Sequence, residues 1–166
     1  MRRPRRRSLA TNPGTALIEE CIQVPATPDS LARLHVLLAD FWSAVDHQVA
    51  NPPITEQRAH FATAIGEIGN NIIRYAYAGG PPGSLTLCLR AWPDRLEADF
   101  ADRGRPYEPK PPRPLRVFDE VTLDDLPEGG FGLALARAAL DVLDYHRTPA
   151  GDNHWTLISR LMPVTD

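Results

Sequence analysis

The chain has 166 residues, 43% of them hydrophobic, and a net charge of −3. That length predicts one domain, since domains run to roughly 100–200 residues, and the composition supplies a real core. Five arginines fall in the first seven residues (Arg2, Arg3, Arg5, Arg6, Arg7), so the rest carries 13 basic against 21 acidic residues, a net −8 that argues against nucleic acid as a direct partner.

Residues 1–14 are basic and interrupted by Pro4, Pro13 and Gly14, with nothing to bury; a disordered tail is expected there. No apolar region follows of the kind a signal peptide needs, and no run approaches the roughly 18 residues of a membrane span. A cytoplasmic protein with no membrane partner is the expectation. Cys21 and Cys88 sit in apolar segments without metal-site spacing, and buried free thiols in a reducing cytoplasm are expected.

Ala16–Val24 suits a strand closed by Pro25. Thr27-Pro28-Asp29 reads as a helix start, Thr27 the N-cap and Pro28 the first helical residue. Leu31, Leu34, Leu38, Phe41, Trp42 and Val45 follow at helical spacing, before Pro52-Pro53. A second helix is expected from Thr55, whose hydroxyl can cap it, through Phe61, Ile65, Ile68 and Ile72 to about Tyr77, where Gly79-Gly80-Pro81-Pro82-Gly83 stops it. Ser84–Ala91 and Arg95–Asp102 alternate apolar and polar residues around a Trp92-Pro93-Asp94 turn. Leu96, Ala98, Phe100 and Asp102 share one face by the period of two, so Asp102 is expected to point inward, where a carboxylate needs a hydrogen-bonding partner.

Residues 103–128 are proline-rich (Pro106, Pro109, Pro111, Pro112, Pro114, Pro127) and read as a lid or an insert. Gly129-Gly130-Phe131-Gly132-Leu133 then leads into a third helix, and two last strands fit Val142–Thr148 and His154–Met162 around a turn at Pro149–Asn153. The order β, α, α, β, β, lid, α, β, β predicts a single α/β (α+β) domain over 15–163, a two-layer sandwich with three helices on one face of a mixed, mostly antiparallel sheet.

Within the second helix Glu67, Asn71 and Arg74 are spaced to share one helical face. An amide oxygen such as that of Asn71 suits Mg²⁺, which takes few protein ligands when phosphates supply the rest. A carboxylate one turn earlier, Glu67, can deprotonate an attacking hydroxyl near a γ-phosphate. A buried Asp102 can accept a hydrogen bond from the exocyclic amine of adenine. A glycine-rich turn opening a helix, Gly129 to Leu133, offers backbone N–H groups to phosphates. Singly these signals are weak; Gly-Gly-Phe-Gly-Leu alone is more often a turn. Together, on these elements, they point to a nucleotide with a divalent metal.

Glu67-x-x-x-Asn71, Asp102-x-Gly104-x-Pro106 and Gly130-x-Gly132-Leu133 resemble the three boxes of the GHKL ATPase superfamily, which includes gyrase, histidine kinases and MutL. Within it the chain most resembles the RsbW-like anti-sigma factor serine/threonine kinases, on Asn71–Tyr77, Asp102–Pro109, Gly129–Ala136, Asp141–Tyr145 and Asn153–Leu157, a likeness covering about residues 16–162. The resemblance implies a Bergerat-type fold binding ATP and Mg²⁺, with Asn71 as metal ligand and Glu67 as catalytic base. It implies Asp102 at the adenine amine, Gly104 allowing the base to approach, Gly130 and Gly132 with Phe131 and Leu133 at the phosphates, and Thr156 as a looser adenine-side candidate. Pro106 stands where the broader superfamily has a glycine, as suits the RsbW-like branch; the role of Arg74 stays open. The implied partners are a sigma factor and a STAS-type anti-sigma factor antagonist, with a homodimer for which the apolar first helix supplies a surface. A non-catalytic ATP-binding switch, a stand-alone histidine-kinase-like module and an α/β binding domain without nucleotide are the competing readings.

Overall fold

The computed structural model describes residues 14–109 and 131–161. The basic tail up to Pro13, most of the 103–128 segment, and Gly129 and Gly130 therefore lie outside the described residues. Five strands form one sheet in the order β1-β2-β3-β5-β4: β1 (Ile18–Pro25), β2 (Ser84–Ala91), β3 (Arg95–Asp102), β4 (Val142–Arg147) and β5 (Asn153–Arg160). All four pairings are antiparallel, a stricter arrangement than the mixed sheet expected. Three helices, α1 (Ser30–Gln48), α2 (Thr55–Asn71) and α3 (Phe131–Ala139), complete the two-layer sandwich in the expected order.

The strand alternation decides which face is covered. Leu85, Leu87, Leu89 and Ala91 of β2 and Leu96, Ala98 and Phe100 of β3 have no exposed surface, and Trp155 and Leu157 of β5 join them. Against this face pack Leu34, Leu38, Phe41 and Val45 of α1 and Phe61, Ala64, Ile65 and Ile68 of α2. Burying each such side chain contributes about 1.5–3 kcal/mol, and this burial holds the helices on the sheet. Gly69 lets α2 sit close: a Cβ there would meet Leu34 at 3.0 Å and Phe100 at 3.7 Å. The other sheet face carries Thr86, Arg90, Glu97, Asp99 and Thr156, and among the described residues no helix covers it.

Three local expectations are corrected. Thr27 does not cap α1: Pro28 and Asp29 form a turn, the Ser30 N–H bonds the Thr27 carbonyl at 3.0 Å, and the helix starts at Ser30. Thr55 is the first residue of α2, with Ile54 at the cap position and no side-chain cap bond. The continuous helix expected to reach Tyr77 stops at Asn71 and continues as a π-helical turn over Ile72–Ala76.

The cysteines are neither free nor buried. Cys21 and Cys88 face each other in the β1–β2 ladder and form a disulfide, Cys21 exposed and Cys88 half-buried on the uncovered sheet face. Sixty-seven positions separate them in sequence, so only the strand register brings them together.

Candidate active site

Glu67 and Asn71 are both half-buried in the last two turns of α2, where unbroken α-helical winding keeps residues four apart on one face. Among the described residues no hydrogen bond from either side chain is recorded, so an acid and an amide stand one turn apart and available. Arg74 lies beyond the break. The wider i→i+5 winding of the π-turn shifts its phase relative to Asn71. Its guanidinium is exposed and sits over the Tyr75 ring, 6.0 Å from the centroid. The three-residue alignment read from spacing thus reduces to Glu67 and Asn71.

Asp102 ends β3 pointing inward, 5% exposed, as its parity requires. Its Oδ1 accepts the Gly104 N–H at 2.8 Å and the Asn153 Nδ2–H at 2.8 Å. Asn153, 1% exposed and opposite Asp102 in the β3–β5 ladder, is the hub of this region. Its Nδ2 also donates to the carbonyls of Gly104 and Arg105, each at 3.2 Å. Its Oδ1 accepts the Tyr145 hydroxyl at 2.8 Å and Arg147 Nη1 at 2.6 Å. The Tyr145 hydroxyl in turn accepts the Tyr107 N–H at 2.9 Å, and the rings of Tyr107, Tyr145 and Trp155 pack mutually at 4.8–5.5 Å. A buried network this fully satisfied holds one geometry.

The loop after Asp102 is also tied to the helix that carries Glu67 and Asn71. The Arg105 N–H bonds the Ala76 carbonyl at 2.7 Å, at the end of the π-turn. One residue further, the Tyr77 hydroxyl donates to the Ser84 carbonyl and accepts the Arg103 N–H, both at 2.9 Å. Gly104 is what permits the approach. A Cβ at this position would fall 2.4 Å from the Ala76 carbonyl oxygen and 2.6 Å from the Ala76 Cβ. The glycine expected to admit the base is needed first by the protein's own backbone. Gly104→Ala should therefore cost about 1–3 kcal/mol, read as a lowered midpoint in denaturant titration. An unchanged midpoint would mean the loop yields freely.

At the rim, the exposed Arg103 guanidinium reaches Asp152 at 2.6 Å; its hydrogen bond holds the Asp152 carboxyl below the usual range. Pro106 is exposed in the segment beyond. Phe131, Gly132 and Leu133 form the first turn of α3, whose leading N–H groups have no intrahelical acceptor; α3 packs along α2, and Leu133 is half-buried against the core. Thr156 is not brought to this group. It lies on the uncovered sheet face, its hydroxyl donating to Asp99 at 2.8 Å, because it stands an odd number of residues from the inward Asn153. Asn153 takes the place expected of it; the inward parity of Asn153, Trp155 and Leu157 was the available signal, and the β3–β5 pairing was the missing one.

No group of three or more His, Cys, Asp and Glu able to hold a metal occurs among the described residues. The donor present, the Asn71 amide oxygen, fits a Mg²⁺ ion that draws its remaining ligands from phosphates and water.

An acid and an amide on a helix, hydrogen-bonded through a π-turn to a loop that holds a buried strand-end carboxylate, are the arrangement expected of a nucleotide-binding ATPase module. Residues 24–157 match the histidine kinase-like ATPase domain, and the chain belongs to that family. It is similar to the serine/threonine-protein kinase BtrW of Bordetella bronchiseptica, 31% identical over 150 residues that cover 90% of this chain and 96% of that one. It is also similar to the serine-protein kinase RsbW of Bacillus pumilus, 27% identical over 74% of this chain and 75% of the relative, and to that of Bacillus subtilis, 25% identical over 72% of each. No helix among the described residues is long and apolar enough to cross a membrane.

Proposed function

We propose that this chain is an ATP-dependent serine/threonine-protein kinase acting as an anti-sigma factor. It sequesters a sigma factor and phosphorylates a small STAS-type antagonist in the cytoplasm, so regulating transcription. Kinase chemistry is supported by the names of the relatives, which cover most of the chain. One observation carries the site: the loop holding the buried Asp102 is hydrogen-bonded to the end of the helix that bears Glu67 and Asn71. Base recognition and phosphoryl chemistry would then share one rigid frame.

In this reading Asp102 accepts the adenine amine through its carboxylate, with Asn153 and the Gly104 N–H fixing its orientation. The N–H groups of Phe131, Gly132 and Leu133 receive phosphate oxygens, with Gly130 before them and Pro106 stiffening the chain that leaves Gly104. Asn71 would hold Mg²⁺, which when bound neutralises charge on the phosphates. Glu67 takes the proton from a serine or threonine hydroxyl as that oxygen attacks the γ-phosphorus. The bond from phosphorus to the bridging oxygen breaks, and ADP leaves.

Calorimetric titration with Mg-ATP should give saturable one-site heat and raise the melting temperature. With labelled ATP, phosphate should appear on a cognate antagonist. No heat and no thermal shift at saturating ATP would end the nucleotide reading, and binding without labelling would favour a non-catalytic switch.

A further inference from the structure

β1 is the outer strand of the sheet, and its ends and its middle are held differently. At the ends Ile18 and Val24 are buried, 6% and 1% exposed. Between them Glu20 and Ile22 are only half-buried, and Glu19, Cys21 and Gln23 are exposed. Burial therefore fastens the two ends, and the bond from Cys21 to Cys88 fastens the middle. That bond lies on the sheet face that no helix covers among the described residues, away from the apolar side chains that hold the helices in place.

Three features separate it from a fixed staple. Cys21 is exposed, so a thiolate in solution can reach its sulfur. Eight register pairs, from Ile18↔Ala91 to Pro25↔Ser84, hold β1 against β2. After reduction the two thiols therefore stay opposite each other, and the bond can re-form within the chain. The third feature is the compartment. Cytoplasmic disulfides are rare, and those that occur are usually transient and catalytic or redox-sensing.

We propose that Cys21–Cys88 is a reversible thiol–disulfide exchange site, addressed at Cys21 by a dithiol reductant, whose redox state sets how firmly the middle of β1 is held. The inference rests on the cytoplasmic part of the proposed function and not on its nucleotide chemistry. One thiolate of the dithiol attacks Cys21 Sγ, the bond between the two cysteine sulfurs breaks, and Cys88 leaves as a thiolate that takes up a proton. The second thiol of the reductant then attacks its own sulfur in the mixed disulfide and releases Cys21 as a thiol. The chain gains two electrons and two protons, and the dithiol is oxidised to its disulfide.

Reduced thioredoxin added to the native protein should convert both cysteines to thiols, counted by alkylation and intact mass. Oxidised glutathione should restore the bond without denaturant. Thioredoxin carrying only its attacking cysteine should be trapped on Cys21. Reduction should lower the melting temperature by roughly 10 °C. It should also speed hydrogen exchange in the 18–25 segment at least tenfold, with β3 unchanged. The double variant Cys21→Ser and Cys88→Ser keeps the burial of Ile18 and Val24, so it should fold, match the reduced protein and ignore reductant. The proposal is overturned if the bond yields to thioredoxin only after denaturation, or if oxidised glutathione leaves two thiols. A trap on Cys88, or equal exchange of β1 in both redox states, overturns it as well. Mg-ATP calorimetry on the same samples tests the nucleotide reading separately, since none of the thiol readouts involves nucleotide.

Discussion

Glu67→Gln is expected to lower the rate of phosphotransfer to the antagonist by about 10²–10⁴-fold, the usual contribution of a positioned general base, while leaving Mg-ATP affinity within a few-fold. The substitution keeps size and half-burial and removes only the ability to take a proton. Asn71→Ala should do the reverse, abolishing saturable Mg-ATP heat because it deletes the one proposed protein ligand of the metal. The separation is sharp because the residues stand one turn apart on unbroken α-helix and, among the described residues, no recorded hydrogen bond engages either side chain. Single-turnover labelling and calorimetry on the two variants check it. Full labelling by the Gln variant removes Glu67 from its role, and unimpaired Mg-ATP binding by the Ala variant removes Asn71 from its own.

The second large effect belongs to Asn153. Replacing it with alanine takes a donor from Asp102 Oδ1, Gly104 O and Arg105 O and an acceptor from Tyr145 and Arg147. Unsatisfied buried partners cost about 1–3 kcal/mol each when water cannot reach them, and loop relaxation recovers part of that. A net loss of about 3 kcal/mol is expected, or roughly 10 °C in melting temperature for a chain of this size. ATP affinity should fall with it, because Asp102 loses its orienting partner. Asp102→Asn separates the two effects: its Oδ1 can still accept from Gly104 and Asn153, so stability should change little, whereas the anionic acceptor for the adenine amine is gone. Thermal melts and ATP titrations of the two variants decide it; a melting temperature untouched by Asn153→Ala would dismiss the hub.

Much of this was legible in local pattern. The limits of β2 and β3 follow from uninterrupted alternation and a Trp-Pro-Asp turn, and parity alone put Asp102 on the covered face. Illegible features depended on neighbours distant in sequence or on competing backbone geometry. Asn153 matters because β5 lies beside β3; the resemblance offered Thr156 instead, three positions on, which the β3–β5 pairing sets opposite Asp99 on the uncovered face. Cys21 and Cys88 read as unrelated because nothing local marks β1 and β2 as partners. The π-turn has ordinary helical residues, Ile72-Ile-Arg-Tyr-Ala76, and its end is bonded through the Ala76 carbonyl to Arg105, a residue distant in sequence. Side-chain capping failed at Thr27 because the Pro28–Asp29 turn moves the helix start to Ser30, and at Thr55 because the helix begins on that residue and leaves Ile54 at the cap position.

The cross-strand bond between Cys21 and Cys88 makes the intervening chain a covalent ring. Inside it lie α1, α2 and the π-turn, hence Glu67 and Asn71. A protease that nicks the backbone anywhere within the ring yields two pieces that still travel as one molecule until a reductant is added. The outer strand carrying Glu20 and Ile22 is likewise tethered: it can fray from the ladder but cannot diffuse away from the helix it flanks.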